Sequence, residues 1–337
     1  MALLALLGGR PVRERPFASW PVFDDAERDA LIRVLESGVW GGYSPAVAEF
    51  EQAFAAHHDC RFGISTCNGT VSLEAALEAL AIGSGDEVIV PPITFVATAA
   101  AVLRVGAVPI FADIDPRTYN IDPKRVEECI TKRTRAIIPV HFAGQPADLD
   151  ALLAIANHHG LAVLEDCAHA HGATWKKRKV SSFGDIGSFS FQQSKNLTAG
   201  EGGILVTNNA SLAAKTRSFC NQGRVEGGAW YRHDYLGTNF RLTGFQAAVL
   251  LAQFARLPEH LDRRNRNAEL LIRTLRESGY VTVPYIDPRV TAHGFHLFVV
   301  RLKPAETGGI GRDRFVEALK AEGIPGASWY PYPVSKN

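Results

Sequence analysis

Between about Arg61 and Thr207 the chain alternates short β-branched or apolar runs with stretches whose apolar residues recur every three or four positions. That alternation is the mark of βα units, in which each helical stretch carries the chain back across a sheet, and it predicts a mostly parallel sheet sandwiched by helices. The expected strands are Phe62-Ser65, Glu87-Val90, Val108-Phe111, Ala136-Val140, Ala162-Glu165, Ile186-Phe191 and Gly203-Val206, seven in all. The expected helices are Thr70-Ala81, Thr94-Val105, Pro123-Ile130, Leu149-His159 and Ala210-Cys220. Fixed-period repeats, low-complexity tracts and long charge runs are absent, which removes solenoids and interaction tails.

From Leu242 to Leu275 the character changes, because helical apolar spacing is interleaved with Arg256, Arg263, Arg264, Arg266 and Arg273. This segment is expected to carry the chain out of its first domain. A strand-like run (Phe295-Leu302) and a helix-like run (Arg312-Glu322) then suit a smaller α+β unit. The division expected is an N-terminal arm (1–20), a large domain (21–255) and a small domain (256–337). The last reads as truncated, since the chain stops at Asn337 soon after Trp329-Tyr-Pro-Tyr-Pro333.

Composition excludes several function classes. With 36 Lys+Arg against 35 Asp+Glu the net charge is +1, so no overall field draws nucleic acid or anionic lipid. No stretch approaches the roughly 20 apolar residues that cross a bilayer, and the apolar start Ala2-Leu7 lacks a preceding basic region. A soluble, cytoplasmic protein is expected. Five scattered cysteines, an odd number in a chain this long, read as buried reduced thiols.

Three segments carry residues suited to chemistry. Thr66-Cys-Asn-Gly-Thr70 is a small-residue turn between a strand and a helix, where free backbone N–H groups meet the positive helix end. It reads either as a phosphate site or as a plain N-capped turn. Leu164-Glu-Asp-Cys-Ala-His-Ala-His171 ends an apolar strand in an acid, where open α/β sheets bind ligands; the other reading is a helix cap. The spacing of Cys167, His169 and His171 also suggests a metal site, set aside because no second ligand cluster is evident and His57-His58 and His158-His159 read as exposed helix-end residues. Third, Lys195 follows the aromatic strand Ser188-Phe191 and precedes Thr198-Ala-Gly-Glu-Gly-Gly203, small residues that let the backbone approach a bound ring or phosphate. A lysine held in such a place has a lowered pKa and can form a Schiff base. In order, the chain thus offers a phosphate-type turn, an aromatic (Phe95), an acid (Asp166), a serine (Ser190) and a lysine, the set that pyridoxal phosphate requires.

These residues resemble those of the DegT/DnrJ/EryC1/StrS sugar aminotransferases, whose fold is that of aspartate aminotransferase. The resemblance runs from about Trp20 to Tyr332 through Cys67-Asn-Gly-Thr70, Pro92-Ile-Thr-Phe95, Pro139-Val-His-Phe-Ala-Gly144, Glu165-Asp-Cys-Ala-His169, Phe189-Ser-Phe191, Lys195, Thr198-Ala-Gly-Glu-Gly-Gly203 and Gly237-Thr-Asn-Phe-Arg-Leu242. Ala168-His-Ala-His-Gly-Ala173 is most similar to the branch of 3-amino-5-hydroxybenzoate synthases and inosose aminotransferases. The resemblance implies pyridoxal 5'-phosphate held as a Schiff base on Lys195, with Asp166 at the ring nitrogen, Phe95 stacked on the ring and His169 beside its hydroxyl. It implies Gly69, Thr70 and Ser190 at the phosphate, with Asn239 reaching the phosphate of a second subunit in a homodimer that shares its active sites. Relatives continue well past Tyr330-Pro-Tyr-Pro333, where this chain departs from the pattern.

Asp166 and His169 have opposite parity, so the strand must end near Cys167 for both to meet one ligand. The activity expected is transfer of an amino group from glutamate or glutamine to a keto-sugar or keto-cyclitol. Two other readings remain: a dehydrating or aromatising enzyme on the same cofactor, and a non-catalytic homologue. An acceptor rich in hydroxyls calls for aromatics, histidines and amides, and Trp20, Trp40, His141, His171 and Tyr332 are candidates, with Arg241 for the donor carboxylate.

Overall fold

The computed structural model describes residues 3–336; Ala2 of the apolar start and Asn337 of the expected small domain lie outside the described residues. Two helices that the reading above did not assign come first. Helix α1 (Asp25–Ser37) opens on a capping box, with Ala26 N donating to Asp24 Oδ1 at 2.8 Å and Asp24 N donating to Glu27 at 3.0 Å. Helix α2 (Pro45–His57) starts on a proline at its first turn, where no donor is lost.

The next elements are β1 (Phe62–Thr66), α3 (Gly69–Ala79), β2 (Glu87–Val90), α4 (Ala97–Arg104), β3 (Val108–Phe111), α5 (Pro123–Cys129), β4 (Thr134–Ile137), α6 (Leu149–His159) and β5 (Ala162–Asp166). Two short strands, β6 (Thr174–Trp175) and β7 (Arg178–Lys179), then lead to β8 (Ile186–Ser190), β9 (Gly203–Thr207) and α7 (Ala210–Cys220). Seven strands make one sheet in the order β1-β9-β8-β5-β4-β2-β3, with β9 antiparallel to both its neighbours and the other pairings parallel. The expected mostly parallel sheet of seven strands is borne out. Strand β4 lies two residues earlier than expected, and α4 begins at Ala97 because Thr94–Val96 form the turn before it.

Parity explains how the sheet divides its residues. Ile186 and Leu164 face α3 and α4 in one buried cluster, whereas Phe189 and Phe191 face α2 in another. On the α2 side Phe50, Phe54, Phe189 and Phe191 interlock with centroids 5.0–5.5 Å apart. Truncating such a ring to alanine costs about 3–5 kcal/mol. Even-numbered residues at the ends of β5 and β8 therefore look toward the start of α3; Ser188 Oγ meets Ser72 Oγ there at 2.6 Å.

His58 corrects one expectation: it is fully buried, stacked 4.2 Å from Phe54 with the Phe189 ring tilted against it at 4.6 Å, because the end of α2 is packed under the sheet. The segment after Leu242 is one 35-residue helix, α8 (Gly244–Ser278), continuous across Pro258. The expected boundary at 255/256 falls inside it. Beyond α8, β10 (Val281–Thr282) pairs with β12 (Arg301–Leu302), and β11 (Val290–Ala292) pairs with β6. Only the last two residues of the expected strand Phe295-Leu302 are extended and paired; α9 (Arg312–Ala321) forms as expected. No helix among the described residues is long and apolar enough to cross a membrane.

Candidate active site

The C-terminal ends of β5 and β8 and the N-terminus of α3 enclose a cavity of about 680 Å³. Its wall includes Gly69, Thr70, Phe95, Asp166, His169, Ser190 and Lys195, together with Asn68, Thr94, Thr98, Gln192, His296, Trp329 and Tyr330. Seven residues singled out in four separate segments of the sequence thus converge on one hollow.

Asp166 is the last residue of β5 and 5 % exposed. Thr98 Oγ1 donates to its Oδ2 at 2.9 Å and Ala168 N to its Oδ1 at 3.1 Å, while Thr94 Oγ1 lies 2.9 Å from Thr98 Oγ1. Burial raises the carboxyl above its usual range, against the opposing pull of Ala168 N–H, the Thr98 hydroxyl and Lys195. A buried carboxylate fixed by two donors and short of a counter-charge is suited to a cationic ligand atom. Burial also lowers the Lys195 amine to about 8, with Asp166 acting in the other direction. Lys195 sits in the tight turn after β8, its N–H donating to Gln192 O at 2.8 Å. Burial, with Lys195 and His296 nearby, holds His169 well below its ordinary value, so its ring is neutral.

The opposite end of the cavity is backbone. Asn68 caps α3 by accepting from Val71 N at 3.0 Å, which leaves the N–H groups of Gly69 and Thr70 outside the cap. A Cβ on Gly69 would lie 2.6 Å from Ser190 Cβ, so only glycine lets the helix start come this close to β8. The Ser190 hydroxyl and the free N–H groups form a cradle for an oxyanion at a positive helix end. A second hollow of about 690 Å³, lined by Tyr43, Arg217, Arg224, Trp230 and Arg241, lies apart from Lys195 and Asp166.

A family model described as the DegT/DnrJ/EryC1/StrS aminotransferase family matches residues 21–337. The chain belongs to this family. The resemblance carried by its motifs is borne out. A protein of Streptoalloteichus tenebrarius, provisionally named L-glutamine:3-amino-2,3-dideoxy-scyllo-inosose aminotransferase, is 46% identical over 97% of this chain and 80% of its own length. The crystal structure of 3-amino-5-hydroxybenzoic acid synthase superposes with a TM-score of 0.85 at 38% identity, covering 94% of this chain and 88% of its own. The NtdA structure from Bacillus subtilis, with bound cofactor PMP, has a TM-score of 0.85 at 29% identity, over 96% of this chain and 75% of its own.

Within this DegT/DnrJ/EryC1/StrS aminotransferase several expected site residues stand away from the cavity. His141 is fully buried, 3.0 Å from Glu165 Oε2 through Nε2, and its Nδ1 accepts from Ala147 N at 3.0 Å. Glu165 also accepts from Ser181, Phe183 and Gly184 N–H groups at 2.7–2.9 Å, so the His141–Glu165 pair is satisfied internally. His171 is equally buried, donating from Nε2 to Ser190 O at 2.9 Å, between Phe189 and Phe191. Trp20 donates to Gln193 O and lies beside His260 and Arg264; Trp40 donates to Leu35 O on α1. Arg241 reaches Asn221 Oδ1 at 2.9 Å in the second hollow. Asn239 is exposed on the same segment, and Tyr332 is exposed at 54 %.

Thr98, His296 and Tyr330 line the aminotransferase cavity and were not among the expected residues. Thr98 follows Thr94 at helical spacing and was legible as its partner. Tyr330 was quoted within its motif but could not be ranked above Tyr332, because both sit in one proline-spaced segment.

Proposed function

We propose that this protein is a pyridoxal-phosphate-dependent aminotransferase that moves an amino group from glutamine or glutamate to a keto-cyclitol or keto-sugar in aminocyclitol or aminosugar formation. The observation that carries the reading is the placement of Lys195 and Asp166 in one cavity, with an amine lowered to about 8 and a buried carboxylate that makes no direct ion pair among the described residues. The cavity fits the cofactor at both ends. Asp166 offers the anion that a protonated pyridine nitrogen needs, and the Gly69–Thr70 helix start with Ser190 offers the phosphate cradle. Phe95, 58 % exposed at the rim, supplies an aromatic face.

When bound, pyridoxal phosphate supplies an aldehyde for the lysine amine and a ring that accepts electrons. The residues of the chain do the rest. Lys195 Nζ would hold the cofactor and, as a free amine, would serve as the base for the proton on the donor's Cα. Asp166, kept in place by Thr98 and Ala168 N–H, would hold the proton of the ring nitrogen. Neutral His169, tied by Ala143 N–H at its Nδ1, would lie beside the cofactor's hydroxyl.

A shared homodimeric site belongs to the same proposal. Asn239 is outside its own protomer's cavity, on an exposed segment with Trp230, Tyr231, Tyr235 and Leu236 showing 58–96 % of their surface, so it is available to a second copy. We also keep the division into arm, large domain and small domain as part of this proposal, with α8 as the shared spine. The donor and acceptor classes draw on the name of the S. tenebrarius relative.

The test is to load the protein with pyridoxamine phosphate and offer scyllo-inosose, nucleotide-linked keto-hexoses and simple 2-keto acids, following the cofactor absorbance. The expected result is a response to keto-cyclitols or keto-sugars. Preference for 2-keto acids in both directions defeats the acceptor assignment, and release of an aromatic product instead supports the chemistry of the 3-amino-5-hydroxybenzoate synthase.

A further inference from the structure

Tyr330 enters the cavity wall from the C-terminal segment in the left-handed backbone region, φ 50°, a conformation uncommon for a bulky side chain. Its ring packs 5.6 Å from Phe142, and its hydroxyl stands 3.5 Å from His169 Nε2. His169 fixes which of the two groups donates. Its Nδ1 accepts from Ala143 N at 3.3 Å, and a neutral imidazole that accepts at Nδ1 carries its single proton at Nε2. The stack of His296 on His169, 4.4 Å apart and inclined by 33°, holds the ring in that plane. Nε2–H therefore points at Tyr330 Oη, and a hydroxyl oxygen that accepts there must turn its own hydrogen elsewhere. His169 is its one partner among the described residues, and the open side is the cavity.

The wall built by His169, His296 and Tyr330 carries no fixed charge. Burial keeps both imidazoles neutral and pushes the Tyr330 phenol up to about 12. Neutral donors and acceptors in a buried wall match ketone and hydroxyl oxygens, whereas a carboxylate calls for a cation. We infer that Tyr330 is a hydrogen-bond donor to the keto acceptor, a polyhydroxylated ring ketone, with its hydroxyl proton aimed into the cavity by the Nε2–H tautomer of His169. The inference rests on the aminotransferase reading above, and assigns within it a residue that discriminates the acceptor from the amino donor. A site that hydrogen-bonds a substrate oxygen also rejects analogues lacking that oxygen, so Tyr330 acts on specificity as well as affinity.

The experiment uses the cofactor-loaded full chain as wild type, Tyr330→Phe and, as a control, the exposed Tyr332→Phe. Each half-reaction is followed separately by cofactor absorbance, with glutamine as donor and scyllo-inosose as acceptor. Nitrogen-15 NMR of histidine-labelled protein reads the His169 tautomer. Loss of one neutral hydrogen bond predicts an acceptor concentration for half-maximal rate about 5- to 10-fold higher in Tyr330→Phe, with the glutamine half-reaction and melting temperature unchanged and Tyr332→Phe like wild type. The wild-type His169 proton is expected at Nε2. Unchanged acceptor kinetics in Tyr330→Phe, an equal loss in both half-reactions, or a proton at Nδ1 overturns the inference. Should Tyr330→Phe lose its fold, the tautomer in the wild type decides alone. A wild type that ignores keto-cyclitols while reacting with glutamine refutes the acceptor reading itself, a result distinct from an active wild type with an indifferent Tyr330→Phe.

Discussion

Lys195 reacts with an aldehyde only as the neutral amine, so the rate at which cofactor-free protein takes up pyridoxal phosphate reads its protonation directly. Burial lowers this amine to about 8, opposed by the Asp166 carboxylate. At pH 7 about 9% of such an amine is neutral, against about 0.04% for a lysine at the ordinary 10.4, a gain of about two hundredfold in the reacting form. Stopped-flow loading between pH 6 and 10 should therefore rise about tenfold per pH unit below the bend and level off above pH 8. Asp166→Asn removes the group that raises the lysine, and the bend should move to lower pH. The same shift has a sign in stability. The folded pKa lies below the unfolded one, so the unfolded chain binds more protons between about 8 and 10.4, and this residue's contribution to cofactor-free stability rises with pH across that window. A loading rate that keeps rising tenfold per unit to pH 9.5 without a bend would refute the account of a desolvated lysine.

Three further outcomes follow from the same geometry. Asp166→Asn leaves one amide oxygen to accept from Ala168 N and an NH2 that the rotatable Thr98 hydroxyl can accept, so the melting temperature should hold. Losing one partner of a buried charge pair costs about 3–5 kcal/mol, so kcat should fall about 10²- to 10⁴-fold, and a rate within threefold of wild type would place the acid elsewhere. Gly69→Ala puts a Cβ 2.6 Å from Ser190 Cβ and must push α3 away from β8; equilibrium dialysis should show cofactor affinity reduced at least about tenfold, as for one or two lost phosphate contacts, and an unchanged Kd would separate this approach from the phosphate cradle. Mixing Asn239→Ala subunits with Lys195→Ala subunits should restore part of the activity that each lacks alone, since some mixed sites carry neither lesion; no recovery, or full activity from a monomer by light scattering, counts against a shared site.

Much of this site is legible along the chain because parallel strands deliver residues to one edge. Asp166 and Ser190 have the parity of Leu164 and Ser188, so both face α3, and Gly69 marks where the helix start must come close. The opposite parity of His169 required β5 to end early, and it ends at Asp166. What was hidden depended on packing between distant segments. His58 looks like one of two exposed histidines until α2 is laid under Phe189. His141 and His171 sit in motifs beside the site yet turn into the core, where His141 Nε2 meets Glu165 and His171 Nε2 donates to the Ser190 carbonyl. His296 belongs to a run with strand-like composition whose early part makes no ladder, and β6, β7 and β11 are two or three residues long, too short to show a period. The domain boundary was expected at 255/256, yet α8 runs on through it and through Pro258, with Leu257 and Ala268 buried.

The central claim is that Lys195 is the residue to which the cofactor is joined, in the cavity that Asp166 closes. Borohydride reduction of the pyridoxal-phosphate-loaded protein fixes the cofactor on whichever amine holds it, and peptide mass mapping then locates the label. The account predicts one phosphopyridoxyl group per chain, on the peptide containing Lys195, and none there in Asp166-intact protein carrying Lys195→Ala. A label on any other lysine, or an unlabelled Lys195 peptide in fully loaded protein, would contradict it.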